Sequence, residues 1–326
     1  MSLTEHPASS PNTNEPVAAP SSKRRRPRIV RLVWTAFRVL LIIYVAVGVV
    51  LYFAQPWLIF PGAFIHAKDN PVIPPAGCEL IATRTAGGTA ITALYGPALA
   101  EDGSTPRPDA SVRPTILYLY GNGDCIGESL DIFQRLRALG VNVMIPEYPG
   151  YRMSAGKPSE AGFYQTADAA FSWLTRHQGV NASSMLVMGR SIGAAPAIDL
   201  ASRQNIAGLI TVSAFTSMDE MAPRVVPGYP TSIVLSSHFR NEHKIRQVTC
   251  PILLMHGDRD EFVPPWMMDR LVTAAGGRAT AVTLSGCDHN DVLSHGGPAL
   301  SDAIGNFLKQ LGLVPTPLRH SRHVTA

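Results

Sequence analysis

The stretch VMGRSIGAAPAIDL, Val187 to Leu200, carries the pattern G-x-S-x-G at Gly189, Ser191 and Gly193. The apolar run SMLVMG leads into it with strand-like composition, and the segment from Ile192 to Ser202 follows with helix-like spacing. Between a strand and a helix the pattern reads as a sharp elbow. Glycine on either side removes side chains where strand, turn and helix crowd together, and the serine is held out at the C-terminal edge of a sheet. The helix N-terminus behind it offers N–H groups that stabilise a developing negative charge. Ser191 is the candidate nucleophile and the N–H of Ile192 the expected first oxyanion donor. The same five residues also occur in ordinary glycine-rich turns, so the flanking elements carry the reading.

Working outward, the runs CELIATRT and TAITALYG flank a turn at Gly87-Gly88 and predict an antiparallel hairpin. Then the pattern alternates. TILYLY, VNVMIPEY, SMLVMG, AGLITVS, PILLMHG and TAVTLS predict strands. ESLDIFQRLRAL with Gly140 at its end, the stretch begun by Ser159, PPWMMDRLVTAA and PALSDAIGNFLKQL predict helices. Alternating short apolar runs and helices mean α/β architecture: a mostly parallel central sheet with helices on both faces. Residues 214–248, with Pro223, Pro227 and Pro230, break the alternation and predict a small cap-like insertion over the site.

An elbow serine in such a sheet needs an acid and then a histidine later in the chain. Asp260 in HGDRDEFVP and His289 in GCDHNDV each follow a predicted strand, in the required order. His289 is the expected base and Asp260 the group that orients it. Asp258 competes with Asp260 but reads as a turn residue, as do Asp288, Asn290 and Asp291. His256 reads as a structural hydrogen bonder, and His295 is the alternative base. YLYGNGDCIG follows the first central strand, and the N–H of Asn122 there is the expected second oxyanion donor. Its glycines, Gly121, Gly123 and Gly127, have the spacing G-x-G-x-x-x-G rather than that of a dinucleotide fingerprint, so no cofactor is expected. Cys78, Cys125, Cys250 and Cys287 lack zinc-ligand spacing, so no metal is expected either.

The net charge of +4 is unevenly placed. Residues 1–38 carry seven basic groups against Glu5 and Glu15, a net +5, which leaves −1 for the rest of the chain. A near-neutral body argues against nucleic acid as a partner. Residues 1–32, rich in Pro, Ser and Asn before the basic run, are an expected disordered tail, and 312–326 a flexible one. From Val39 to Phe60 no residue is charged; about 20 apolar residues span a bilayer as a helix. A transmembrane signal anchor is expected over 33–55, ending before Pro56, with the α/β body over 60–311. The excess of Lys and Arg before it predicts a cytoplasmic N-terminus and an outward-facing body, in periplasm or lumen.

YLYGNGDCIG, PEYPGYRMSAGKPSEAGFY, GRSIGAAPAIDLAS, SAFTSMDEM, HGDRDEFVP and GCDHND, together with QPWLIFPG at the exit of the apolar run, resemble the α/β-hydrolase superfamily. The resemblance is to its membrane-anchored alpha/beta hydrolase domain-containing branch and covers roughly residues 54–311. It implies the α/β-hydrolase fold, a triad of Ser191, Asp260 and His289, and an oxyanion hole from Asn122 and Ile192. It also implies a serine hydrolase of the carboxylesterase, acyl-thioesterase or lysophospholipase kind, with a small-molecule or lipid acyl substrate and no cofactor. One departure is Tyr120, where the branch usually has His. An aminopeptidase-like activity is the alternative, with Asp219 and Glu220 as the carboxylates to hold a free amine. A non-catalytic anchored binding protein of the same fold is the other.

Overall fold

The computed structural model describes residues 28–67 and 70–313. The expected tails lie outside these residues up to 27 and beyond 313. The chain divides into two compact units, one ending at Val49 and one beginning at Val50.

Helix α1, Arg28–Ile59, crosses that division and is long and apolar enough to cross a membrane. It differs from the expected 33–55 at both ends. Helical geometry takes in Arg28 and Arg31 from the basic run, and it continues through Pro56 instead of stopping before it. A proline inside a helix leaves the carbonyl four residues back without its N–H. Here the side chain of Gln55 donates from Nε2 to that carbonyl, Tyr52 O, at 3.2 Å, and the chain continues with Phe60 N–H donating to Pro56 O.

The single turn α2, Gly62–Ile65, follows. Strands β1, Glu79–Arg84, and β2, Ala90–Gly96, form the expected hairpin around Gly88, whose φ of +81° suits glycine. Then come β3, Thr115–Leu119; α3, Leu130–Ala138; β4, Asn142–Pro146; and α4, Glu160–Arg176, whose N-cap Ser159 accepts from Gly162 N–H. Next are β5, Met185–Arg190; α5, Ala194–Arg203; and β6, Gly208–Val212. The stretch 214–248, expected as a cap-like insertion, holds three short helices: α6, Met218–Val225; α7, Thr231–Val234; and α8, Asn241–Ile245. The chain closes with β7, Ile252–Gly257; α9, Trp266–Ala275; β8, Ala279–Leu284; and α10, Gly297–Gln310.

The eight strands form one sheet in the order β1-β2-β4-β3-β5-β6-β7-β8. β1, β2 and β4 pair antiparallel, and every later pair is parallel. Strands β3 to β7 are buried along their whole length, whereas β1 and β8 at the edges are half exposed. That contrast follows from helices covering both faces of the central strands. α4, α5, α8 and α9 pack in succession against one another, while α3 lies on β4, and α10 on β7 and β8. The C-terminal ends of β3, β5, β7 and β8 therefore open at one edge of the sheet, where α/β folds place their sites.

The second unit starts ahead of the expected boundary at residue 60, because the last turns of α1 belong to its packing. Gln55, Ile59 and Phe60 are buried. Gln55 donates to Val234 O at 2.9 Å and accepts from Ser236 N–H at 2.9 Å and Ser236 Oγ–H at 3.1 Å.

Candidate active site

Ser191 leaves β5 with φ of +51°, a left-handed conformation that costs energy in any residue with a side chain. The strain is tolerated because the surroundings permit nothing else. A Cβ on Gly189 would lie 2.3 Å from Gly193 O, and one on Gly193 would lie 2.1 Å from Leu119 O and 2.4 Å from Tyr120 O. Both elbow glycines are thus required by contact with backbone. The turn over Ser191–Gly193 is a 3-10 turn that runs into α5, so the N–H of Ile192 belongs to a helix start, where donors lack intrahelical acceptors.

The structure brings Ser191, Asp260 and His289 together from the ends of three strands. His289 Nδ1 lies 2.8 Å from Asp260 Oδ2, and His289 Nε2 lies 3.0 Å from Ser191 Oγ. A carboxylate only accepts, so Nδ1 carries the proton, and Nε2 is left to accept from the serine hydroxyl. Asp260 is fully buried. Burial raises its pKa, but hydrogen bonds from His256 and His289, the charge of His289 and the Val263 N–H together outweigh that and hold the carboxyl well below the usual range. It stays ionised wherever the protein is folded at ordinary pH.

His256 is structural, as expected: its Nε2–H donates to Val263 O at 2.8 Å. The same nitrogen is 3.3 Å from Asp260 Oδ2, so it also supports the acid. Asp258 is a turn residue: it accepts from Gly286 N–H and Ser285 Oγ–H. Asp288 accepts from the N–H groups of Asn290 and Asp291. His295 is exposed and takes no part in the Ser191–His289–Asp260 chain. Phe262, half exposed, stands over His289 with ring centroids 5.0 Å apart. Sequence reasoning missed it, because nothing in EFVP distinguishes a lining ring from a loop ring.

The loop carrying Asn122 lies against the serine: a Cβ on Gly121 would be 3.6 Å from Ser191 Cβ. Three sets of contacts hold it. Asn122 O accepts from Gly62 N–H at 2.9 Å and Tyr151 Oη–H at 3.0 Å; Asn122 Nδ2 donates to Ile59 O at 3.3 Å; and His66 Nε2 donates to Gly123 O at 2.9 Å. From the other side, Arg190 donates to Asp124 Oδ2 at 2.7 Å and to His289 O at 3.0 Å. From below, Glu147 Oε1 accepts from Tyr120 Oη–H at 2.8 Å and Ile126 N–H at 3.0 Å. Tyr120 is therefore tied into the loop's support, its hydroxyl also accepting from Tyr148 N–H at 3.3 Å.

Glu147 is fully buried, and its Oε2 has no partner. Burial pushes its pKa above the ordinary carboxylate value, against the smaller lowering effects of neighbouring donors and of the Arg152 charge. A raised folded-state pKa contributes stability below about 4.3, the ordinary glutamate value, and that contribution is lost as pH rises through the folded value. Glu147→Gln keeps the Oε1 acceptor and removes the ionisation. The variant is expected to gain stability on the wild type as pH rises through the folded-state value of Glu147, because only the wild type must bury a charge there. Thermal unfolding of both proteins from pH 4 to 9 checks this; parallel curves refute it.

Asp219 and Glu220 are not free to hold an amine. Asp219 pairs with His238 at 2.9 Å and Arg240 at 3.7 Å, and Glu220 with Arg270 at 2.7 Å. Among the described residues no group of three or more His, Cys, Asp or Glu is placed to hold a metal ion.

No protein-family model matches the chain. Protein bem46 of Schizosaccharomyces pombe is 31% identical over 268 residues, covering 80% of this chain and 87% of that protein. Alpha/beta hydrolase domain-containing protein 17B of Xenopus laevis is 29% identical over 219 residues, covering 67% and 71%. The chain belongs to the α/β-hydrolase superfamily. In solved structures, an esterase of Pyrococcus furiosus superposes with a TM-score of 0.57 over 72% of this chain and 92% of its own, at 17% identity, a likeness of fold. Within the α/β-hydrolase fold, the sheet edge that carries Ser191 is flanked by β3 on one side and β6 on the other, so the glycine loop after β3 reaches the elbow directly.

Proposed function

We propose that this α/β-hydrolase cleaves an ester, thioester or lipid acyl bond through an acyl-serine intermediate. The observation that carries the reading is the unbroken chain of hydrogen bonds from Ser191 Oγ through His289 to Asp260. His289 Nε2 takes the hydroxyl proton as Ser191 Oγ attacks the acyl carbon. The N–H groups of Ile192 and Asn122 receive the oxyanion, where one donor contributes about 10²–10³ in rate. The histidine then gives its proton to the departing alkoxide or thiolate. Water, activated by the same nitrogen, releases the acid and restores the serine. Asp260, ionised throughout, holds the histidine tautomer and stabilises the imidazolium.

The protein acts as a single-pass anchored enzyme, its N-terminus cytoplasmic and its catalytic body on the opposite side of the membrane. The basic excess before α1 supports that orientation. The burial of Gln55, Ile59 and Phe60 in the catalytic unit supports an anchor that is retained rather than a signal sequence that is removed.

A fluorophosphonate probe tests the chemistry. Full-length protein is expected to take up one equivalent at Ser191, located by peptide mass mapping, and Ser191→Ala none. A folded chain that reacts with no probe refutes an assembled triad.

A further inference from the structure

The uncharged run is longer than a membrane needs. It extends from Val39 to Ile65, 27 residues, whereas about 20 cross a bilayer. The part of the run beyond Gln55 lies inside the catalytic unit, and four of its large side chains point outward. Trp57 is 59% exposed, Leu58 51%, Phe64 46% and Ile65 66%. Trp57 and Phe64 meet edge to face at 5.7 Å, so the last turn of α1 and the turn α2 present one apolar knuckle. The residues between them turn inward: Ile59, Phe60, Gly62 and Ala63 are buried. The segment is therefore folded against the body, and its apolar outer face is a feature of the folded state. Contiguous exposed apolar surface of this kind marks an interaction site.

We infer that this knuckle, Trp57, Leu58, Phe64 and Ile65, docks into the interface of the lipid bilayer and brings the oxyanion loop to the membrane surface, so that the acyl group cleaved at Ser191 is delivered from the bilayer. Three observations select lipid as the occupant. The knuckle follows without interruption from a run that is long and apolar enough to cross a membrane. It carries no charge. Its tryptophan is the residue type that settles at the boundary between headgroups and acyl chains. The link to catalysis is direct, because the residues interleaved with the knuckle hold the loop proposed to receive the oxyanion. Gly62 N–H and Ile59 O bond Asn122, and His66 bonds Gly123 O. One side of the segment meets lipid while the other holds the donors that receive the carbonyl oxygen. The inference rests on the anchored serine-hydrolase reading and narrows its substrate to a bilayer-resident acyl ester.

The test uses the full chain in phosphatidylcholine vesicles. In a Trp34→Phe background, lipid brominated at acyl positions 6 and 7 is expected to quench about half of the emission assigned to Trp57, taken as the difference from a matched chain carrying Trp57→Phe. Equal quenching of the two chains overturns the docking. With Phe64→Ser and Ile65→Ser together, the ratio of turnover on a long-chain ester held in the bilayer to turnover on a soluble butyrate ester is expected to fall about tenfold. An unchanged ratio overturns delivery from the bilayer. If Ser191 takes up no fluorophosphonate in the same vesicles, the hydrolase reading fails, and the quenching result still decides where the knuckle lies.

Discussion

Ser191→Ala is expected to lower kcat on an activated ester by about 10⁴–10⁶, His289→Ala by a similar factor, and the double variant by no more than either alone. The non-additivity is the informative part. Ser191 Oγ and His289 Nε2 are 3.0 Å apart and share one proton, so removing either group ends the same step. What remains is catalysis by the oxyanion donors and by binding, which neither substitution touches. Single-turnover hydrolysis of a nitrophenyl ester, set against the uncatalysed rate, measures all three. A double variant slower than either single by the product of their losses would mean that the two side chains act in separate steps, and the triad assignment would fail.

Gly62→Ala should cost about 10²–10³ in kcat, although residue 62 contacts no reacting atom. A Cβ there would lie 2.5 Å from Tyr151 Cε1, 2.6 Å from Asn122 O and 2.8 Å from Asp124 O. Two of the three obstacles are backbone of the oxyanion loop, so the loop has to shift. Loss of one well-aimed oxyanion donor carries a penalty of this size. Because the interaction strengthens as charge develops on the substrate oxygen, the loss should fall on kcat and leave KM within about threefold. Steady-state kinetics, alongside the thermal midpoint, separates the outcomes. A lower midpoint with kcat intact would show that the segment merely braces the fold.

Much of this site is legible in the order of residues along the chain. Ser191, Asp260 and His289 follow one another after predicted strands, and parallel strands bring their C-terminal ends to one edge whatever the loops between them do. Gly189 and Gly193 are legible for the same reason, since a strand-to-helix elbow leaves no room for side chains. The supports are not. Gln55 looks like a lone polar residue at the end of an apolar run, and nothing local says that it replaces the N–H missing at Pro56 while bonding Ser236. Pro56 therefore points to a helix end that the structure does not have. Glu147 sits in a proline-rich strand end, and its burial beneath Tyr120 depends on a contact between residues 27 apart. His256 can be read as structural, but its second acceptor, Asp260, depends on how the turn after β7 folds back. Pattern and period locate elements; pairings across loops depend on how those elements pack.

Arg190 fills the variable position between Gly189 and Ser191, where the pattern asks for nothing in particular. Its buried guanidinium holds Asp124 of the glycine loop and the carbonyl of His289 together. For either loop to leave its place, Arg190 must give up a charge-assisted bond in a site shielded from water, while its Nε already lacks a partner. The loop that carries Asn122 and the loop that carries His289 are therefore expected to open together, and amide hydrogen exchange at a shared rate in the two loops checks this. On the proposed function, a group bound at Ser191 that contacts one loop is then expected to slow exchange in both, because Arg190 transmits the restraint from one to the other.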